Sequence, residues 1–362
     1  MSNYIEFNDR IAFHPGYYLK EIVEESGLTQ EDFAKRLGTT PKNLSILIRG
    51  EQNLSIDVAT KLSSMLGTTV KYWLNLQQSY DEMRAEFLLD KELMKEREVF
   101  HFIDYQYFKD NFKLPDLGKS IDQQIKVLRE FLSVASLCVL EDKDLATSFR
   151  SYSEHLSKSN IVNANAMVQI AVNKALRTEA PKYNKKKFAD AVEFALNQTE
   201  DHEGFLPKLK QRFMEAGVIL VVLPHLKNSG IKGATKKVGS KILLMVNDRR
   251  HYADIFWFSL FHEIGHILNG DFGVTFEHSK EEVENQADLY AREKLIPEKQ
   301  YQKFVNETTD FSELEIRQFA AEIQRDAGIV FGRLQNDGKI PYDQIEFGNK
   351  MRHKYEVLID SL

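Results

Sequence analysis

ADIFWFSLFHEIGHILNG, residues 253–270, sets two histidines and a glutamate inside an otherwise apolar run. The run predicts one long helix that stops at Gly270. His262, Glu263 and His266 form an H-E-x-x-H pattern. On a helix, positions i and i+4 differ by about 40° of rotation, so both imidazoles leave the same face one turn apart. Two nitrogen donors so placed can bind one Zn²⁺, and Glu263 between them is placed to act as general base on water at the metal. Water on zinc reaches a pKa near 7, which makes a nucleophile available at neutral pH. Burying these three polar residues without such a purpose would be costly. The competing reading is a pair of hydrogen-bonded core histidines.

A catalytic zinc needs a third protein ligand and an open fourth position. The next helix, KEEVENQADLYAREKLI at 280–296, stops at Pro297 and supplies it. Glu284, Ala287, Asp288 and Ala291 fall at i, i+3, i+4 and i+7, which is one face. The two alanines allow close approach to the zinc helix, so Glu284 is the expected third ligand, with Glu281 as its substitute. Asp288, one turn on, is placed to accept a hydrogen bond from a ligand histidine, or else to pair with Arg292. For an oxyanion donor the candidates are His251, Tyr252, Tyr290 and Arg333, each more readily explained structurally. Trp257 and Phe258 read as core. Around these helices, FLPKLKQRFMEAG (205–217) reads as a helix, and VILVVL (218–223), SGIKGATKKV (229–238) and KILLMV (241–246) as strands, with a Gly239-Ser240 turn. ELEIRQFAAEIQRDAG (313–328) is a last helical segment. The result is an α+β domain with a small sheet flanked by helices.

Residues 11–80 read differently, as five short helices separated by Gly and by N-cap residues. Thr29 caps a helix that Gly38 stops, and Thr40-Pro41 opens the next. The tight turn between this second and third helix is what a helix-turn-helix requires. Segment 33–50 carries Lys35, Arg36, Lys42 and Arg49 and no acidic residue, although the chain's net charge is −6. In such a module the second helix crosses the phosphates and the third enters the major groove. Thr39, Thr40, Lys42, Asn43 and Ser45 are then the candidates for base edges. Gln30, Lys35 and Arg49 are the candidates for the backbone. Binding two half-sites as a dimer would offset the small number of clustered cations.

These residues carry two resemblances. FWFSLFHEIGHIL, VENQADLYAREKLIP and IVFGRLQNDGKIPY, within 205–340, resemble the ImmA/IrrE family of zinc metallopeptidases. The family's pattern E-x-E-A-[ND]-x-[FY]-A reads here Glu284-Asn285-Gln286-Ala287-Asp288-Leu289-Tyr290-Ala291. Gln286 departs from it and the ligand position does not. The resemblance implies a zincin-like fold and cleavage of one repressor-like protein rather than general digestion. The segment from His14-Pro15-Gly16, through Leu28-Thr29-Gln30, to Trp73-Leu74-Asn75-Leu76-Gln77 resembles the Xre-type helix-turn-helix of HigA antitoxins. It implies operator DNA and a toxin or repressor partner.

The rest of the chain sets bounds. With 362 residues, 43% hydrophobic and 28% charged, it is an ordinary globular protein of about two or three domains. A single cysteine, Cys138, rules out an internal disulfide and fits a reducing compartment. MSNYIEFNDR mixes charge signs and is not expected to be an export signal, and no apolar stretch is long enough for a membrane span. The expected location is the cytoplasm. The expected fold is mainly α with a small β-sheet: a helix-turn-helix bundle over 1–80, a helical connecting region over 81–204, the metallopeptidase domain over 205–340, and a tail over 341–362. The expected function is a homodimeric DNA-binding regulator of antitoxin type whose zinc peptidase domain cleaves a partner protein. The alternative is a non-proteolytic autorepressor whose peptidase-like domain serves as a sensor or toxin-binding platform.

Overall fold

The computed structural model describes residues 3–142, 156–248, 251–276 and 282–354. It is mainly helical with two small sheets, and it divides into two compact units, Met1–Lys95 and Glu96–Leu362. The first unit opens with an antiparallel hairpin, β1 (Tyr4–Phe7) and β2 (Arg10–Phe13). Its turn residues, Asn8 and Asp9, both take positive φ, as a tight hairpin turn demands. The helices follow as α1 (Pro15–Glu25), α2 (Gln30–Leu37), α3 (Pro41–Ile48), α4 (Ile56–Leu66) and α5 (Val70–Phe100).

Local chemistry explains the breaks between them. The Thr29, Thr40 and Ser55 hydroxyls accept hydrogen bonds from the backbone N–H three residues on. Gly38 and Gly67 close α2 and α4 in the left-handed region. His14 Nδ1 accepts from the Gly16 N–H at 3.0 Å and so caps α1. Gly16 itself has no alternative, because a Cβ there would lie 2.0 Å from the Leu47 carbonyl oxygen of α3. Leu19, Phe33, Leu44, Leu62 and Trp73 form the buried centre. Five helices are present, but the fifth is not short. From Val70 to Phe100 there is neither Gly nor Pro, and strong helix formers dominate. The hairpin before α1 was not anticipated.

The second unit continues with α6 (Tyr105–Phe112), α7 (Ile121–Leu132), a 3₁₀ turn over Leu137–Glu141, α8 (Lys158–Arg177), α9 (Lys185–Leu196) and α10 (Phe205–Glu215). Then come β3 (Val218–Pro224), β4 (Ile231–Val238), β5 (Lys241–Asp248), α11 (Ala253–Asn269), β6 (Gly273–Phe276) and α12 (Glu282–Leu295). It ends with α13 (Glu298–Glu307), α14 (Glu313–Glu322), α15 (Ala327–Asn336) and α16 (Ile345–Met351).

The sheet order is β3-β5-β4-β6, with β3 parallel to β5 and the other pairs antiparallel. Leu220, Val222, Leu244 and Val246 join one core cluster with α9, α10 and α11. The alternate residues Ile219, Val221, Leu243 and Met245 are buried too, and α8 packs on β3, β4 and β5. Cover on both faces is why these strands read as unbroken apolar runs. Three buried asparagines of α8 tie down the chain before it. Asn163 donates to the Phe102 carbonyl at 2.8 Å, Asn165 to those of Leu140 and Asp142 at 2.8 Å each, and Asn173 to that of Leu132 at 2.9 Å. No described helix is long and apolar enough to cross a membrane.

Candidate metal centre

α11 is held by its apolar first half. Phe256, Trp257, Leu260 and Phe261 are buried in the core, so the helix presents its H-E-x-x-H turn at a fixed place. Gly270 ends it at φ 76°, with its N–H returned to the carbonyls of His266 and Ile267. α12 lies against it at small residues. Ala287 and Ala291 are fully buried, and a Cβ on Gly265 would stand only 3.3 Å from the Ala287 Cα.

The sequence-derived donors converge. His262 Nε2 and His266 Nε2 are 3.0 Å apart. The Glu284 carboxylate lies 3.1 Å from the first and 3.5 Å from the second. Among the described residues these three bring one donor atom each within 4.8 Å of one another, and all three are buried. A tetrahedral ion with bonds of about 2.0–2.1 Å sets neighbouring donors about 3.3–3.4 Å apart. The triangle therefore fits a small divalent cation, and two imidazoles with one carboxylate are the donor types such an ion takes.

The outer nitrogens point at carboxylates. His262 Nδ1 donates to Asp288 Oδ1 at 2.7 Å, and His266 Nδ1 lies 3.4 Å from Asp271 Oδ2. A proton held on each Nδ1 leaves the Nε2 lone pairs facing the centre. Burial pulls the His262 pKa down, while its hydrogen bonds to Asp288 and Glu284 raise it more, to about 9. Arg292, the other partner weighed for Asp288, pairs instead with Asp337 at 2.6 Å. Glu281 lies outside the described residues. Glu263 is buried on the same turn, and β4 runs against it. A Cβ on Gly233 would be 2.5 Å from Glu263 Oε1.

Asp271 and Gly233 escaped the reading of the sequence. Each carried a faint signal: an acid directly after a C-cap glycine, and a glycine inside a strand. The oxyanion candidates scatter. His251 is exposed and 2.8 Å from Asp248, and Tyr252 lies under Arg352 and Lys354. Arg333 is bound to Glu298 and Asp337. Tyr290 alone lies on the α11–α12 seam, beside Gly265. Trp257 is core as expected. Phe258 is half-buried, its ring centroid 6.5 Å from that of His262.

In the first unit Gln30, Lys35, Thr40, Lys42, Asn43 and Arg49 are exposed, and Thr39 and Ser45 are half-buried. Lys35 pairs with Glu31 at 2.9 Å. Arg49 binds Glu51 and donates to the Ser45 hydroxyl at 2.6 Å.

Residues 19–73 match the helix-turn-helix family model, and residues 218–330 match that of the IrrE N-terminal-like domain. The chain belongs to the helix-turn-helix regulators of Xre type and carries an IrrE/ImmA-like domain toward its C-terminus. Virulence-associated protein I of Dichelobacter nodosus is 32% identical over 80 residues, 22% of this chain and 74% of that protein. The uncharacterized HTH-type transcriptional regulator YddM of Escherichia coli K12 is 32% identical over 83 residues, 22% of this chain and 88% of its own length. Antitoxin HigA-1 of Vibrio cholerae is 38% identical over 61 residues, 17% of this chain and 57% of that antitoxin.

Proposed function

We propose that the chain is an operator-binding regulator of antitoxin type whose second unit is a zinc-dependent endopeptidase acting on one partner protein. The observation that carries the reading is the buried triangle of His262, His266 and Glu284, with Glu263 on the same turn. A zinc ion held by those three residues would supply Lewis-acid polarisation and a water acidified to a pKa near 7. Glu263 takes the proton from the attacking water and delivers it to the leaving amine nitrogen. Gly233 gives its carboxylate the space to do so, and Asp288 and Asp271 keep both imidazoles in the tautomer that faces the centre.

In the first unit, α3 lies in the major groove of double-stranded operator DNA. Thr39, Thr40, Lys42, Asn43 and Ser45 address bases, while Gln30, Lys35 and Arg49 address phosphates. Lys35 and Arg49 then exchange their carboxylate partners for phosphate oxygens. Two half-sites call for a homodimer, and the place of work is the cytoplasm. The partner is the cognate toxin or a repressor, by analogy with the antitoxin that the chain resembles.

The test joins metal analysis of the purified protein with incubation against the proteins encoded beside it. The expected result is about one zinc per chain and a single cut in one neighbour. Glu263→Gln keeps the zinc and loses the cut. Cleavage that survives without zinc would sink the peptidase reading, and an intact operator response would then leave the domain as a sensor or toxin-binding platform.

A further inference from the structure

A cavity of about 280 Å³ lies in the second unit, walled mainly by apolar side chains. Ile255, Phe258 and Ser259 of α11 line one side, and Leu295 and Ile296, at the end of α12, line another. Counted at 100° per residue, Ile255, Phe258 and Ser259 lie within about 60° of the direction of His262 on α11. On α12, Leu295 lies about 20° from the direction of Glu284. The two stripes that bring the metal donors together therefore continue along both helices into the walls of the cavity. The near wall is close, since the Phe258 ring centroid is 6.5 Å from that of His262.

We infer that this cavity receives a large apolar side chain of the protein that is cleaved, from the residue next to the scissile bond. The inference rests on the peptidase reading above and adds to it the class of residue recognised. A backbone carbonyl at the metal centre leaves its neighbouring side chain about one helical turn, 5.4 Å, from the cavity wall. Leucine, methionine and phenylalanine reach that far, and glycine and alanine do not. The charged lining residues disfavour a basic side chain. Lys232, Arg292 and Arg333 are cations, and the Asp254 carboxylate is already paired with Arg352 at 3.0 Å.

The test uses the full-length, zinc-loaded protein, titrated calorimetrically with the hydroxamates of glycine, leucine and phenylalanine. The expected result is that leucine and phenylalanine hydroxamates bind about ten- to a hundredfold more tightly than glycine hydroxamate, as burial of one such side chain provides. In Ser259→Trp, which fills the cavity, that preference disappears while the zinc content stays that of the wild type. Should Ser259→Trp not fold, the series on the wild-type protein decides alone. Equal affinity for the three hydroxamates overturns the assignment and leaves the metal centre standing. Failure to hold zinc, with no hydroxamate bound, overturns the peptidase reading and this one with it. Leucinamide, which lacks the chelating group, binding as tightly as leucine hydroxamate would mark an independent small-molecule site and also overturn it.

Discussion

At Gly233 one absent methyl group keeps β4 from colliding with the carboxylate of Glu263, 30 residues later in the chain. The Cβ of an alanine would lie 2.5 Å from Glu263 Oε1, so either the strand or the carboxylate must move. Displacement of a catalytic group by about 1 Å costs on the order of 10²-fold in rate. Gly233→Ala is expected to lose turnover by that factor with zinc content unchanged, measured as cleavage rate against metal stoichiometry, and full turnover would contradict it. Asp271→Asn is expected to act on the metal instead. Loss of a carboxylate behind a ligand histidine weakens metal binding by about ten- to a hundredfold, read by competition with a chelator. His262, His266, Glu284 and Asp288 were legible because helical spacing converts residue number into direction. Asp271 and Gly233 were not, for a shared reason. The first reaches back through a left-handed cap that the sequence shows only as a helix stop, and the second meets its partner across two elements.

The N-terminal turn of α11 holds Asp254 in the core, 8% exposed, although Arg352 is only 3.0 Å away. Burial outweighs the guanidinium and pushes the Asp254 carboxyl up from 3.8 to about 6. A folded-state value above the unfolded one means that this group's contribution to stability is full below pH 3.8 and fades as pH rises through 6. The loss amounts to about 3 kcal/mol at neutral pH. Asp254→Asn is therefore expected to gain about 3 kcal/mol relative to the wild type between pH 4 and pH 7, read from urea unfolding at both values. A difference independent of pH would refute it. Elements were recoverable wherever their own pattern closed them. Thr29, Thr40 and Ser55 marked helix starts, and the apolar runs marked β3 and β5. α5 ran past its expected end because nothing in its sequence stops it, and β6 was missed because four residues carry no period. The buried asparagines of α8 are polar in sequence, and only their backbone partners make them interior.

Two compact units in one chain imply that heat or denaturant need not unfold the protein in one step. The donors of the candidate centre all belong to the second unit, and the residues proposed to read DNA all belong to the first. A ligand stabilises only what it binds in the folded state, by about 2.7 kcal/mol when its free concentration is a hundred times Kd. Chelation of zinc should therefore lower one calorimetric transition by several degrees and leave the other in place. The operator complex, scored by gel shift, should survive that chelation and should fall with rising salt, as phosphate contacts require. Lys42→Ala combined with Asn43→Ala is expected to reverse the pattern, with operator binding lost and the zinc-sensitive transition unmoved. If EDTA shifted both transitions alike, or abolished operator binding outright, the two activities would have to be coupled through the fold. The peptidase would then be a switch on DNA binding rather than a second function beside it.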